Sequence, residues 1–167
     1  MKVSGVPYRT IWLADDNWAV EIIDQTKLPH DFQINRLESV DDVAVAIKDM
    51  WVRGAPLIGA TAAFGAALAM REDPSDRNIN NMYDQLIATR PTAVNLRWAL
   101  DDMRDLLKQK PEKHRERAAY ERAKEISDKD VEICSNIGDH GAKIISDLAR
   151  QKKKDDVVNV LTHCNAG

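Results

Sequence analysis

Apolar positions change their spacing several times along the chain, and each change marks an element. Residues 8–13 and 18–23 are short runs rich in β-branched and aromatic side chains. Ala14-Asp-Asp-Asn17 separates them, which predicts a β-hairpin. Lys27-Leu-Pro-His30 closes it irregularly. Ser39 stands three residues before Asp42, a capping-box signature, and residues 40–50 continue as a helix. From Ala55 to Met70 there is no charged residue, and the run is rich in Ala, broken only by Gly59, Thr61 and Gly65. A membrane-spanning helix needs about 20 apolar residues, so this stretch reads as a buried core helix around which the rest is organised. Residues 71–81, with Asp73-Pro-Ser75 and three Asn, read as a surface connection. A helix follows over about 79–88. Leu96, Leu100, Met103 and Leu107 then keep a helical stripe as far as Pro111.

Residues 112–150 are heavily charged, yet Ala119, Ala123, Ile126, Ile133, Ile137, Ile144 and Leu148 hold one face at steps of three, four or seven. The charges read as a solvated face. Gly138 and Gly141 fall within this helical pattern at a cost of about 1 kcal/mol each relative to Ala, which close approach of another backbone or a ligand would explain. Asn136 and His140 are neighbours on the helix surface, and His140 reads as a structural residue hydrogen-bonded in the core. Residues 152–156 are a loop. Residues 157–161 read as a buried-type strand, with 162–167 the loop at its carboxyl end, the edge where ligands gather in open α/β sheets.

Composition narrows the class. The chain has 167 residues, a net charge of −3 and 5% aromatic residues. That length allows one domain, or one domain and part of another, and abundant helix formers favour a helix-rich fold. Acidic and basic residues are interspersed, so no nucleic-acid or membrane partner is indicated. The first residues, MKVSGVPYRTIW, contain no apolar signal region. With Cys134 and Cys164 the only cysteines, a cytoplasmic protein with free thiols is expected. The sequence stops directly after an apolar strand-like run, so a break inside a domain is expected there.

Three places carry candidate chemistry. Arg53 and Gly54 come just before Pro56, and Pro is favoured at the first helical position. A guanidinium thus sits beside a helix N-terminus whose free N–H groups suit an anion. A solvated arginine at a helix start is the alternative. Thr89-Arg90-Pro91 repeats the device, which makes a shared anion more plausible than either arginine does alone. Cys164, in His163-Cys-Asn-Ala-Gly167 at a strand end, is either a thiol activated by a following helix and a nearby cation or an inert buried one. Adjacent His and Cys are not a usual zinc spacing, and P-loop, dinucleotide-binding and serine-elbow patterns are absent.

Five motifs, IDQTKLPH, MWVRGAPLIG, TRPTAVNLRWALDDM, NIGDHG and LTHCNAG, occur in this order. By them the chain resembles, over essentially all its length, the sugar-phosphate isomerase family related to the regulatory subunits of the initiation-factor-2B exchange factor. The resemblance implies an α/β protein overall. Residues 1–150 would form a mostly helical N-terminal domain with a small hairpin. Residues 151–167 would supply the first strand and catalytic loop of a truncated Rossmann-like domain.

The implied activity is an aldose–ketose isomerisation in methionine salvage, of 5-methylthioribose 1-phosphate to 5-methylthioribulose 1-phosphate, without a cofactor and in a homodimer. Ribose 1,5-bisphosphate, 5-deoxyribose 1-phosphate and a non-catalytic exchange-factor subunit are the alternatives. By the same resemblance Arg53, Gly54, Ala55 and Arg90 hold the phosphate and Cys164 is catalytic. A hydrogen must move from C2 to C1, either as a proton through an enediolate or as a hydride in a dry pocket. The family's second catalytic residue, an Asp, has no counterpart here. The chain is therefore expected to hold half an active site and to need the C-terminal remainder of the same protein.

Overall fold

The computed structural model describes residues 2–153 and 156–163. Two compact units divide the chain, residues 1–127 and 128–167. The first begins with a short ribbon, β1 (Lys2–Val3) and β2 (Val6–Pro7), paired antiparallel. Ser4 and Gly5 between them both have positive φ, 50° and 84°, the backbone that a two-residue hairpin turn requires.

Strands β3 (Ile11–Leu13), β4 (Val20–Ile23) and β5 (Ile34–Leu37) form an antiparallel sheet in that order. The expected hairpin is present, with Ile11 opposite Ile22 and Leu13 opposite Val20. Asp16 shapes its turn, the carboxylate accepting from the N–H groups of Trp18 and Ala19 at 3.1 Å each. The third strand has little sequence signal of its own, because only Leu37 of Ile34-Asn-Arg-Leu37 is buried. Pairing to β4 holds it, and the Arg36 guanidinium reaches across to Asp16.

Helix α1 (Val40–Lys48) starts as the capping box requires. The Asp42 N–H donates to Ser39 Oγ at 3.1 Å, and the Ser39 N–H donates back to Asp42 Oδ2 at 3.0 Å. Helix α2 (Ala55–Glu72) is buried at every residue from Ile58 to Met70. A helix apolar on all sides must be covered on all sides. Its one buried hydroxyl, on Thr61, donates to the Leu57 carbonyl at 2.7 Å, so no polar group is stranded.

Helix α3 (Asp76–Thr89) begins well inside the stretch expected to be a surface connection. Its start is set by polar capping rather than apolar periodicity. Ser75 Oγ accepts from the Asn78 N–H at 3.2 Å, and the Asp73 carboxylate accepts from the Ser75 N–H at 2.9 Å. The Ser75 N–H, and after it the Ser75 hydroxyl donating at 2.8 Å, hold the Asp73 carboxyl below its ordinary pKa. Asn78 Nδ2 donates to the Ala69 carbonyl at 2.9 Å, tying the start of α3 to the end of α2.

Helix α4 (Val94–Lys108) buries Leu96, Leu100, Met103 and Leu107, the stripe expected from the sequence. Where α4 ends, Arg115 is buried and its guanidinium donates to the carbonyls of Leu107, Lys110 and Pro74 at 2.9, 3.0 and 2.7 Å. It also pairs with Asp76 at 2.6 Å. This one side chain fastens the ends of α4 and the starts of α3 and the last helix.

That helix, α5 (Glu112–Gln151), is continuous. In the first unit it buries Arg115, Ala119, Ala123, Ile126 and Ser127. The Tyr120 hydroxyl donates to the Trp18 carbonyl at 2.8 Å, joining it to the hairpin turn. In the second unit the helix passes through Gly138 and Gly141, where an added Cβ would meet nothing within 4 Å. The close approach expected there is absent among the described residues. His140, expected in the core, is exposed, since no described element covers that part of the helix. Residues 157–161 form no strand and are mostly exposed, because a strand is held by its ladder and no described segment pairs with them. No helix among the described residues is long and apolar enough to cross a membrane.

Candidate phosphate site at two helix N-termini

Arg53, Gly54 and Ala55 lie where the loop after α1 enters α2. The loop is pinned on both sides. The Trp51 carbonyl accepts from the Gln25 N–H at 2.9 Å, and the Val52 N–H donates to Ala46 at 3.3 Å. Gly54 is the N-cap, with φ 92° and ψ 134°, a conformation open to glycine and costly for residues with a Cβ. Its carbonyl accepts from the Ile58 N–H at 3.1 Å and begins the helical ladder. Ala55 opens the helix and is exposed, and Pro56 stands at its second position, one residue later than expected. Arg53 is half-buried, its Nε donating at 3.4 Å to the carbonyl of Met50. That long bond leaves the terminal guanidinium nitrogens to other partners.

Arg90 is the C-cap of α3, in an extended conformation (φ −147°, ψ 78°) of the kind a following proline favours. Its carbonyl accepts from the Ala93 N–H at 3.0 Å, closing a turn through Pro91 and Thr92. The expectation that Pro91 stands inside a helix start is therefore corrected: the helix begins three residues later, at Val94, with Ala93 as N-cap.

The two N-termini meet. A Cβ built on Gly59, in the second turn of α2, would fall 2.9 Å from the carbonyl oxygen of Asn95 in the first turn of α4. Only a residue without a side chain allows this approach. Gly59 and Asn95 are thus the positioning pair that sequence reading did not single out. Glycine inside an otherwise apolar helix was the available signal.

Capping separates these ends from the others. Helices α1 and α3 are capped by Ser39 and Ser75 and carry Asp41, Asp42 and Asp76 in their first turns. Helices α2 and α4 have no side-chain cap and no acidic residue in the first turn. First-turn N–H groups find no carbonyl within their own helix, and the helix dipole adds partial positive charge there. The two ends that converge are the two left electropositive; Arg53 directly precedes the N-cap of α2, and Arg90 stands three residues before the N-cap of α4. Cys164 lies outside the described residues.

The rest of this unit offers less. A groove between α4 and α5 is lined by Asp102, Asp105, His114 and Arg122 among others. Both of its arginines are already paired: Arg122 is bidentate on Asp102 at 2.8 and 3.0 Å, and Arg117 lies 3.6 Å from Glu121. No group of three or more His, Cys, Asp or Glu among the described residues is placed to hold a metal ion.

This mostly helical domain with small antiparallel sheets superposes on solved proteins. The 5-methylthioribose 1-phosphate isomerase of Pyrococcus horikoshii OT3 superposes with a TM-score of 0.74 at 36% identity, covering 81% of this chain and 40% of that one. Subunit delta of translation initiation factor eIF-2B from A. fulgidus superposes with a TM-score of 0.68 at 34% identity, covering 75% of this chain and 38% of that one.

The model of the Initiation factor 2 subunit family matches residues 51–167, and the chain belongs to that family. It is similar to the methylthioribose-1-phosphate isomerase of Sinorhizobium medicae (strain WSM419), with 54% identity over 167 residues. That alignment takes in 100% of this chain and 46% of the relative, so the chain spans about half the length of the relatives it matches.

Proposed function

We propose that the chain supplies the phosphate-binding half of an aldose–ketose isomerase. The assembled enzyme converts 5-methylthioribose 1-phosphate to 5-methylthioribulose 1-phosphate, a step of methionine salvage, without a cofactor. The observation that carries the reading is the meeting of the α2 and α4 N-termini at Gly59 and Asn95, with Arg53 and Arg90 in the segments that lead into them. Relatives named for this reaction give the sugar.

A phosphate dianion matches what these ends present. The N–H groups of Ala55 and Leu57 are first-turn donors, and Pro56 between them contributes none. Gly54 keeps the approach clear, since a Cβ there would meet nothing within 4 Å. Arg53 and Arg90 supply charge-assisted hydrogen bonds to the phosphate oxygens. The anomeric phosphate holds the sugar ring closed, so catalysis needs an acid to open it before a hydrogen moves from C2 to C1. Cys164 is the catalytic residue this chain contributes.

The remaining parts of the account follow the same reading. Residues 1–150 are the N-terminal helical domain. Residues 151–167 begin a Rossmann-like domain, with 157–161 as its first strand once neighbouring strands are present. The C-terminal remainder of the protein brings the second catalytic residue, and the assembled enzyme is a cytoplasmic homodimer.

The test is isomerase activity of the assembled protein with Cys164 intact and with Cys164→Ser. Loss of turnover with sugar-phosphate binding retained is expected. Unchanged turnover removes Cys164 from the chemistry. Absence of any isomerisation by the intact assembly favours a non-catalytic subunit of the exchange-factor type instead. Running the reaction in deuterium oxide separates the two routes for the hydrogen: solvent deuterium enters C1 if a proton is exchanged and does not if a hydride moves directly.

A further inference from the structure

Among the buried polar side chains of the first unit, Thr61 bonds within α2 and Arg115 fastens the helix ends. Asp24 does neither. It directly follows β4 and is 2% exposed. Burying a carboxylate is costly unless hydrogen bonds replace its water. Its donors show what that cost secures. Oδ1 accepts from the Thr26 N–H at 2.9 Å and from the Thr26 hydroxyl at 2.6 Å, and Oδ2 accepts from Asn35 Nδ2 at 3.3 Å.

The main chain of Asp24 is held as well, its N–H donating to the Gln33 carbonyl at 2.9 Å. An aspartate that bonds the backbone two residues on closes a turn over the residue between. Here that residue is Gln25, and the turn fixes the direction of its N–H. The Gln25 N–H donates at 2.9 Å to the carbonyl of Trp51, in the loop that carries Arg53 to Gly54, the N-cap of α2. The same loop contains Met50 at φ 63°, a conformation uncommon for a residue with a side chain, and the Met50 carbonyl accepts from Arg53 Nε. Backbone of that kind persists where surrounding contacts hold it. The bond from Gln25 is one of those contacts.

We infer that Asp24 is a positioning residue of the phosphate site: through Thr26 and the Gln25 N–H it sets the loop that presents Arg53 and the α2 N-terminus. This rests on the proposal that those groups hold a phosphate. The charge of Asp24 acts in the opposite sense to its geometry. A buried negative charge repels an anion, so its removal would by charge alone tighten phosphate binding. A loss of phosphate affinity therefore reports displacement of the loop.

The test measures KM, kcat and calorimetric affinity of the assembled protein for 5-methylthioribose 1-phosphate, with unphosphorylated 5-methylthioribose as the control. Asp24→Asn keeps the shape but turns an amide donor toward Asn35 Nδ2. Thr26→Val keeps the charge and removes the hydroxyl donor. Each is expected to weaken binding of the phosphorylated sugar about tenfold, the scale of one lost hydrogen bond to a charged group. KM should rise far more than kcat falls, and the unphosphorylated sugar should bind as before. Exchanging the pair, Asp24→Asn with Asn35→Asp, sets donor against acceptor again and should restore affinity to within about twofold of the parent.

Unchanged or tighter binding of the phosphorylated sugar by Asp24→Asn overturns the inference, as does equal weakening of both sugars. So does a folded exchanged pair that recovers nothing. Thermal unfolding reports the fold of each variant, and Thr26→Val carries the test if Asp24→Asn does not fold. Arg53→Ala is measured alongside. Weakening by Arg53→Ala but not by Asp24→Asn removes the positioning role alone, whereas no weakening by Arg53→Ala removes the phosphate site itself.

Discussion

The Gly59 Cα and the Asn95 carbonyl are packed so closely that a methyl group on the former would fall 2.9 Å from the latter's oxygen. A backbone oxygen in a helix cannot swing aside as a side chain can. Gly59→Ala therefore has to push α4 away from α2. An overpacked core substitution costs about 1–3 kcal/mol, and that is the loss of unfolding free energy expected from denaturant titration. Because the displaced ends are those proposed to cradle the phosphate, affinity for phosphorylated sugars should fall as well. Gly138→Ala is the control: its site is open, and the helix should gain up to about 1 kcal/mol.

Arg115 offers a second test of what holds the helices in place. It is buried, and it satisfies three carbonyls as well as Asp76. Arg115→Met keeps the aliphatic stem and removes every donor. Stability should fall by about 2–3 kcal/mol, because the carbonyls lose their partners while still screened from water. Lys in place of Arg should recover only part of the loss, since one ammonium cannot span the planar fork.

Tyr120 gives a pH signature. Burial of its ring pushes the phenol pKa up to about 12. The unfolded phenol ionises near about 10, so the folded value is the higher one and the neutral form is favoured by the fold. Its contribution is fully present below about pH 10 and is lost as the pH rises from there through about 12. Melting temperatures between pH 9 and pH 11 should fall less steeply in Tyr120→Phe than in the parent chain. Identical slopes would remove Tyr120 from the alkaline transition.

These positions also show what was legible in the sequence and what was not. The core helix could be read because a run without charge has only one soluble solution, burial on all sides. The Ser39–Asp42 box could be read because both partners lie within four residues. The start of α3 was missed because Asp73, Ser75 and Asn78 are polar capping residues whose side chains resemble those of a loop. The third strand was missed because its alternation is weak and its partner lies distant in sequence. Arg53 and Arg90 were legible as helix-end cations, although Pro91 misled as to where α4 begins. Their meeting was not read, because Gly59 inside an apolar helix signals a close approach without showing which backbone presses on it.

The central claim is that the α2 and α4 N-termini, with Arg53 and Arg90, form the phosphate cradle. It is tested most directly by calorimetric titration of the assembled protein with 5-methylthioribose 1-phosphate and with 5-methylthioribose, before and after Arg53→Ala. Loss of a charge-assisted contact predicts weakening of the phosphorylated sugar by at least about tenfold, roughly 1.4 kcal/mol, with the unphosphorylated sugar unchanged. Equal weakening of both sugars, or of neither, would contradict the account.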